Sequence, residues 1–180
     1  MYKDVIIAGF GGQGVLLIGN LLAWAAMEEG FEVTFMPVYG VEMRGGTANC
    51  TVIISDEEIA SPIIQYPESL IIMNQPSLEK FQPRLKDKGI QIINSSMVDE
   101  KLVDKKRINS YLVPVNDIAE EIGNMRTANM VALGAWIRVV NILNIDRIIN
   151  TLDVILNKKE LLEINKKAIQ RGAEYIEKYL

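Results

Sequence analysis

The sequence predicts an α/β fold, a three-layer αβα sandwich with a mostly parallel sheet, formed by residues 1–180 as a single domain. Three observations predict it. A short apolar run at Val5–Ala8 ends in a glycine-rich turn, an apolar segment of helical period begins at Val15, and further strand-like and helix-like segments then alternate along the chain. A strand, a glycine turn and a helix in this order are typical of the first unit of a Rossmann-like, ligand-binding sheet.

The turn after the first predicted strand contains four glycines within six residues, and it provides the first candidate cofactor-binding residues: Gly9, Gly11, Gly12, Gln13 and Gly14. Glycine permits a tight reversal of the chain, and its missing side chain lets the backbone approach an anion. The start of the following helix adds free N–H groups and a partial positive charge. An anionic ligand or the backbone of a partner could therefore lie here, although a purely structural turn with close helix–sheet packing remains an alternative.

The residues around this turn favour neither NAD nor ATP. A nicotinamide site expects an acidic residue at the end of the second strand, which the sequence predicts at residues 31–36, but Glu32 stands near the start of that strand. A P-loop requires Lys and Ser or Thr where this chain has Val15 and Leu16.

The remaining elements follow from hydrophobic period and from the positions of glycine, proline and capping residues. The first helix is expected at residues 13–29, with Gly30 after its end, and a long helix that is apolar on nearly all sides is expected at about 127–142. Two amphipathic helices should follow Asp146 and separate near Asn157. Further strands are expected at 48–54, 69–73, 90–94 and 110–113, and further helices around 77–81 and, as a capped helix, at 116–121.

Two further groups of candidate binding residues follow predicted strands, so they should lie at the carboxyl edge of the sheet beside the glycine turn. A predicted loop at residues 37–47 contains Arg44, Gly45 and Gly46, which place a guanidinium next to backbone that can be approached closely. Asn74 and Gln75 come after the strand at 69–73, and they are either hydrogen-bonding ligand contacts or caps of the next helix.

Composition narrows the class of protein. Apolar residues make up 49% of the chain and the net charge is −4, which is ordinary for a globular domain and gives no electrostatic reason to expect nucleic acid or an anionic membrane as a partner. The start of the sequence does not have the pattern of a signal segment, and no apolar run approaches the length of a membrane span. We therefore expect a soluble cytoplasmic protein.

The sequence contains no histidine and one cysteine, Cys50. Without histidine, Ser-His-Asp and Cys-His nucleophile systems and most zinc sites are excluded. One cysteine cannot by itself ligate an iron–sulfur cluster or form an internal disulfide. Because Cys50 lies within a predicted strand, we expect a buried structural thiol, and we assign no catalytic residue and no metal ligand to this chain.

Taken together, these segments resemble the gamma subunit of 2-oxoacid:ferredoxin oxidoreductases over essentially the whole chain. The stretch at residues 42–50, Glu-Met-Arg-Gly-Gly-Thr-Ala-Asn-Cys, is the most specific, and it is most similar to subunits of the 2-oxoglutarate and 2-oxoisovalerate enzymes. The glycine turn at 9–15, Tyr39–Gly40–Val41, Ser61–Pro62, Met73–Pro76 and Asn124–Met130 also contribute.

The resemblance implies oxidative decarboxylation of a 2-oxoacid with coenzyme A and oxidised ferredoxin, giving acyl-CoA, CO₂ and reduced ferredoxin. It places thiamine diphosphate and iron–sulfur clusters on the alpha, beta and ferredoxin-like delta subunits. This chain would then bind no cofactor alone, would be inert in isolation, and would contact coenzyme A or its partner subunits through the carboxyl edge. A stand-alone homodimeric nucleotide- or CoA-binding regulatory domain remains an alternative, and the missing acid after strand two argues against an independent NAD(P) oxidoreductase.

Overall fold

The computed structural model describes residues 1–39, 47–156 and 159–180. It contains six strands: β1 (Tyr2–Phe10), β2 (Glu32–Tyr39), β3 (Thr47–Ser55), β4 (Ser69–Ile72), β5 (Ile90–Asn94) and β6 (Asn109–Val113). The described α-helices are α1 (Val15–Glu28), α2 (Gln75–Phe81), α3 (Val115–Ile122), α4 (Ala128–Val140), α5 (Ile145–Ile155) and α6 (Leu162–Glu177). Short 3₁₀ turns lie at Gln82–Arg84, Glu100–Leu102, Met125–Thr127 and Lys159–Leu161.

The strands form one sheet in the order β2-β3-β1-β4-β5-β6. The pairs β1–β4, β4–β5 and β5–β6 are parallel, and β3 is antiparallel to both β1 and β2. Strand β2 therefore runs in the same direction as β1, and its carboxyl end reaches the same edge of the sheet. The predicted α/β class with a mostly parallel sheet is confirmed, and the antiparallel strand is a feature that the sequence did not specify.

Alternate residues of β1 belong to two hydrophobic cores, one on each face of the sheet. Because helices cover both faces, the architecture has three layers. Val5 and Ile7 pack with α1, α4 and neighbouring helices on one face, whereas Ile6 and Ala8 pack beneath α2 on the other. This arrangement follows from the period of two along a strand, where successive side chains point to opposite faces.

Helix α4 lies between the sheet and α6. Residues Ala128–Ile137 are all buried. The indole nitrogen of Trp136 donates a hydrogen bond of 3.0 Å to the Ser69 hydroxyl on β4. On its other side, α4 lies so close to α6 that a Cβ on Gly134 would stand 2.0 Å from the Ile169 carbonyl oxygen. The prediction of an apolar helix covered on both faces is confirmed.

Two predicted boundaries or caps differ from the structure. Strand β2 continues through Pro37 to Tyr39 instead of ending at residue 36; a proline is tolerated there because β2 is an edge strand, where a nitrogen without hydrogen can face away from the sheet. Helix α3 begins at Val115 with Pro114 in the N-cap position and no side-chain cap, because the Asn116 side chain bonds to Asn94 instead. The other elements lie within a few residues of their predicted bounds, and Asn157 lies outside the described residues.

Candidate functional site

The carboxyl edge of the sheet brings together the glycine turn after β1 and the segments that follow β4, β5 and β6. The last residues of the parallel strands lie side by side, with Ala8 paired to Ile72 and Ile72 paired to Ile93. Loops after neighbouring parallel strands meet at one edge, which is where open α/β sheets bind ligands.

The predicted loop with Arg44, Gly45 and Gly46 lies outside the described residues, which stop at Tyr39 and resume at Thr47. Its two ends are nevertheless placed. Tyr39 pairs with Ala48, and Thr47 pairs with Phe10, the last residue of β1. The described residues on either side of the loop, Tyr39 and Thr47, therefore lie at the carboxyl edge, and the placement of Arg44, Gly45 and Gly46 stays a prediction.

Two glycines of the turn are required by their surroundings. A Cβ on Gly9 would stand 2.6 Å from Oε1 of Gln13. Gly14 has a φ of 70°, in the left-handed region, and a Cβ there would stand 2.4 Å from the Asn129 amide nitrogen. Gly11 and Gly12 lie in the same turn, and Gly12 is exposed. These contacts give the glycines a structural role, and they leave the turn close to solvent for a ligand.

Gln13 holds the turn in place from inside. Its Oε1 accepts hydrogen bonds from the backbone N–H of Phe10 at 2.7 Å and from Nδ2 of Asn74 at 3.1 Å. Its Nε2 donates to the Met73 carbonyl oxygen at 3.4 Å and contacts Sδ of Met97 at 3.5 Å. The side chain therefore connects the end of β1 to the segment that follows β4, and its amide is engaged by the protein itself.

Asn74 and Gln75 have different surroundings. The Asn74 oxygen accepts a hydrogen bond of 3.0 Å from the Ser77 N–H and caps α2, which is one of the two roles that the sequence left open. Gln75 donates from Nε2 to Glu79 on the same helix, at 3.1 Å. Asn74 therefore lies against the glycine turn, whereas the side chain of Gln75 is hydrogen-bonded along α2.

The start of α1 offers backbone donors at this edge. Among the described residues no side chain caps the helix, and its N-cap residue is Gly14. The first intrahelical bond runs from the Ile18 N–H to the Gly14 carbonyl oxygen, at 3.2 Å, so the preceding N–H groups of the helix lack an intrahelical acceptor.

A pocket of about 200 Å³ opens beside the turn. Six of its lining residues are not among the site residues predicted from the sequence. The full lining is Gly12, Gln13, Met73, Asn116, Met125, Arg126, Ala128 and Asn129. The signal available in the sequence was the polar segment before the apolar helix α4, where Arg126 precedes a run of mostly apolar residues.

Cys50 is fully buried, and its Sγ lies 3.5 Å from the Val15 carbonyl oxygen. Burial raises the pKa of the thiol to about 12, so the sulfur is protonated at neutral pH. The predicted structural thiol is confirmed. In the described ranges, no group of three or more histidine, cysteine, aspartate or glutamate side chains is arranged to hold a metal ion, and no helix is long and apolar enough to cross a membrane.

Comparison with known proteins gives relatives that match most of this chain. The VorA subunit of the ketoisovalerate oxidoreductase of Methanothermobacter marburgensis is 38% identical over 180 residues, which are 98% of this chain and 37% of the relative. The chain thus spans little more than a third of that relative. The KorC subunit of the 2-oxoglutarate synthase of the same organism is 37% identical over 151 residues, 81% of each protein.

The fold has a close counterpart among solved structures. The gamma subunit of a keto/oxoacid ferredoxin oxidoreductase from Geobacter sulfurreducens superposes with a TM-score of 0.87 and 25% identity, covering 99% of this chain and 98% of that one. The family model described as pyruvate ferredoxin/flavodoxin oxidoreductase matches residues 4–175. The resemblance found in the sequence is therefore confirmed, and the chain belongs to the pyruvate ferredoxin/flavodoxin oxidoreductase family.

Proposed function

We propose that this chain is the gamma subunit of a multisubunit 2-oxoacid:ferredoxin oxidoreductase. The observation that supports this most directly is the superposition with the Geobacter gamma subunit over nearly the full length of both chains. The reaction of the assembled enzyme would convert a 2-oxoacid and coenzyme A into acyl-CoA and CO₂, while two electrons pass to oxidised ferredoxin.

Within such an enzyme this chain would not carry the redox chemistry. Its one cysteine is buried and protonated, and the sequence contains no histidine, so its residues do not fit an iron–sulfur cluster. Thiamine diphosphate and the clusters would be held by the alpha, beta and delta subunits, with ferredoxin as the electron acceptor of the complex.

The part proposed for this chain is binding at the carboxyl edge. The uncapped start of α1 and the glycine turn offer backbone N–H groups, and Tyr39 and Thr47, which flank the segment with Arg44, Gly45 and Gly46, lie at the same edge. These groups suit the phosphates of coenzyme A, and the same loops could instead form the junction with partner subunits. Titration of coenzyme A onto the assembled complex, wild type against Arg44→Ala, separates the two roles: a loss of affinity supports contact with coenzyme A, and unchanged affinity removes Arg44 from that role.

The substrate is proposed to be 2-oxoglutarate, with 2-oxoisovalerate as its competitor. The name of each relative points to a different 2-oxoacid, and this chain is almost equally identical to both. A substrate assay on the whole complex therefore has to decide between them.

The experiment is an anaerobic pull-down of the tagged chain from its native cells. The eluate is assayed for CoA-dependent reduction of a viologen dye with 2-oxoglutarate, 2-oxoisovalerate and pyruvate. Co-purification of larger subunits, iron and activity is expected, and the best substrate identifies the enzyme. If the chain elutes alone or as a homodimer, without iron and activity, the subunit proposal fails, and the regulatory-domain alternative gains support.

A further inference from the structure

Strand β2 forms one edge of the sheet, and its outer side has no partner among the strands that the structure describes. Such an edge offers unpaired N–H and C=O groups to any other strand, so proteins usually protect it with lysine, bulges or a short strand. β2 has 8 residues without a lysine, and its register with β3 contains no bulge between Glu32 and Tyr39. The edge is therefore long, regular and suited to a further strand.

The hydrogen bonds of β1 show which backbone groups of β2 face outward. The Ala8 carbonyl oxygen accepts from the Met73 N–H, directly after β4, so Ala8 is directed toward β4 and Ile7 toward β3. Ile7 is paired with Cys50, and Cys50 with Pro37. Cys50 therefore directs its backbone groups to β1, and Pro37 directs its own away from the sheet. The same alternation turns three further residues of β2 outward: Val33, Phe35 and Tyr39.

A second copy of β2 satisfies these groups when the two strands run antiparallel about a two-fold axis through Met36, perpendicular to the sheet. Val33 then exchanges two hydrogen bonds with Tyr39 of the second copy, and the Phe35 N–H donates to the Pro37 carbonyl oxygen of the second copy. Each outward N–H of the strand finds an acceptor. Pro37 enters only as an acceptor, so its missing hydrogen leaves the Phe35 carbonyl oxygen, and no N–H, to water.

The side chains also match in this register. Thr34 stands opposite Val38 of the second copy, and Met36 stands opposite itself, which are cross-strand pairs without charge. Val38 is 42% exposed in the single chain, so this contact removes apolar surface from water. Glu32, the one charged residue of β2, lies outside the paired segment. A register centred on Phe35 would instead place Glu32 opposite the apolar Val38.

Helix α1 extends the same surface. It packs over β2 and β3, with α4 and α5 on its inner side, where Glu28 contacts Arg147 and Thr151 of α5. The side toward the free edge carries an uncharged stripe at helical spacing, the α1 stripe: Leu16, Asn20, Ala23 and Met27. Met27 is 54% exposed.

The spacing of the strands brings two copies of this stripe together. Neighbouring strands are about 4.8 Å apart, so a helix over β2 and β3 lies about 5–7 Å from the axis. Its symmetry mate lies on the same face, about 10–14 Å away, and helices at this distance touch through their side chains. The edge and the α1 stripe thus form one continuous surface.

We propose that two copies of this chain associate through β2 and the α1 stripe, with the β2 strands joined antiparallel at Met36 into one continuous sheet. The interface is isologous, since the same residues of both copies form it. The inference stands apart from the proposed function, because it uses neither the carboxyl edge nor another subunit.

Sedimentation velocity of the purified full chain, over a wide range of concentrations, tests the association. The wild type should sediment as a dimer of the 20.2 kDa chain. Val38→Lys and Met27→Lys, which place a charge on the edge and on the α1 stripe, should each weaken the dimer at least tenfold. Val154→Lys is the matched control, because Val154 is 62% exposed on α5 and should leave the dimer unchanged. Thermal melting verifies that all three variants are folded.

A disulfide test identifies the register. Cys50 is buried, so an introduced cysteine provides the accessible thiol. Met36→Cys should form a disulfide between two copies when treated with diamide, because residues directly opposite in antiparallel strands bring their Cβ atoms within about 4.5–5.5 Å. Val154→Cys should remain unlinked under the same conditions.

A wild-type chain that is monomeric at all concentrations, or a dimer that both lysine variants leave unchanged, would overturn the proposal. A dimer that responds to the lysine variants without the Met36→Cys disulfide would overturn the register. If the chain is monomeric and the same lysine variants release it from the assembled complex, another subunit covers the surface and the second copy is wrong. The pull-down result does not depend on these outcomes, so the two proposals can fail separately.

Discussion

Nδ2 of Asn74 donates a hydrogen bond of 3.1 Å to Oε1 of Gln13, although the two residues are 61 positions apart in the sequence. The same Gln13 oxygen accepts the Phe10 N–H, and the Asn74 oxygen caps α2. Two side-chain amides therefore fix the glycine turn and the start of α2 relative to each other. This connection is what makes the carboxyl edge a preformed surface.

A double-mutant cycle should detect that connection. Gln13→Ala leaves the Phe10 N–H and the Asn74 amide without their acceptor, and Asn74→Ala also removes the cap of α2. Each single change should lower the free energy of unfolding by about 1–3 kcal/mol. Because the residues share a bond, the double mutant should lose less than the sum by about 0.5 kcal/mol or more. Urea unfolding of the four proteins measures the coupling, and additive losses would contradict a shared bond.

The α4–α6 contact predicts that alanine is harmful at two helical glycines. A Cβ on Gly134 or on Gly172 would stand 2.0 Å from a carbonyl oxygen of the facing helix. Helix propensity alone would favour alanine by about 1 kcal/mol, but the backbones must separate to admit it. We expect a net loss of about 1–3 kcal/mol at either position, measured by thermal and urea unfolding.

Gly30→Ala is the control for that prediction. Gly30 has a φ of 87° and nothing within 4 Å of the Cβ position, so its substitution reports backbone strain without a clash. If Gly134→Ala and Gly172→Ala are no less stable than the wild type, that result would contradict the close approach of α4 and α6.

Cys50 should be unreactive in the folded protein. The thiol is fully buried, and burial raises its pKa to about 12, so both access and the thiolate fraction are low at neutral pH. We expect modification by a thiol reagent to be at least about 100-fold slower in native buffer than in denaturant, because it requires local or global opening. Reaction at equal rates in both conditions would contradict the buried position.

Asp4 should make stability fall as the pH rises. Its side chain is 2% exposed, and burial is the main cause that raises the pKa of its carboxyl, although a 2.6 Å hydrogen bond from the Glu68 N–H opposes this. The native state therefore binds the proton more tightly than the unfolded chain does. The resulting penalty develops as the pH rises from the ordinary carboxyl pKa through the raised native value, and it is complete above that value.

Asp4→Asn removes this titration and keeps an oxygen for the Glu68 N–H. The stability of the variant relative to the wild type should therefore increase as the pH is raised from about 3.5 to 7, as urea unfolding at several pH values would show. Asp56→Asn is the opposite control, because a hydrogen bond from the N-terminal amine lowers the pKa of Asp56. Its relative stability should decrease over the same range. A flat difference for Asp4→Asn would contradict the buried carboxylate.

Local patterns were sufficient to predict the elements whose structure depends on neighbours in the sequence. The glycine turn, the helix after it and Gly30 beyond the end of that helix follow from backbone preferences, and the buried α4 follows from a segment that is apolar on all sides. The strand–turn–helix unit and the family resemblance together indicated the sheet and its ligand-binding edge.

Long-range placement required the structure. The insertion of β3 between β1 and β2 depends on pairing along both neighbours, in which Thr47 pairs with Phe10 and Ala48 pairs with Tyr39. The continuation of β2 through Pro37 depends on its position at the edge of the sheet. Similarly, Asn116 would be assigned as a helix cap from its local sequence, but its partner is Asn94 on another segment.

The sequence by itself determined the fold class, the family, the glycine turn and the lack of histidine and of a cysteine set that could ligate an iron–sulfur cluster, because these depend on residue identity and local spacing. Only the tertiary structure decided that Arg126 and Asn116 share a pocket with a turn more than 100 positions earlier in the chain. The physical reason is that hydrophobic burial stacks the helices on the sheet without regard to sequence distance, so tertiary packing, and not the neighbouring sequence, determines the partner of a side chain.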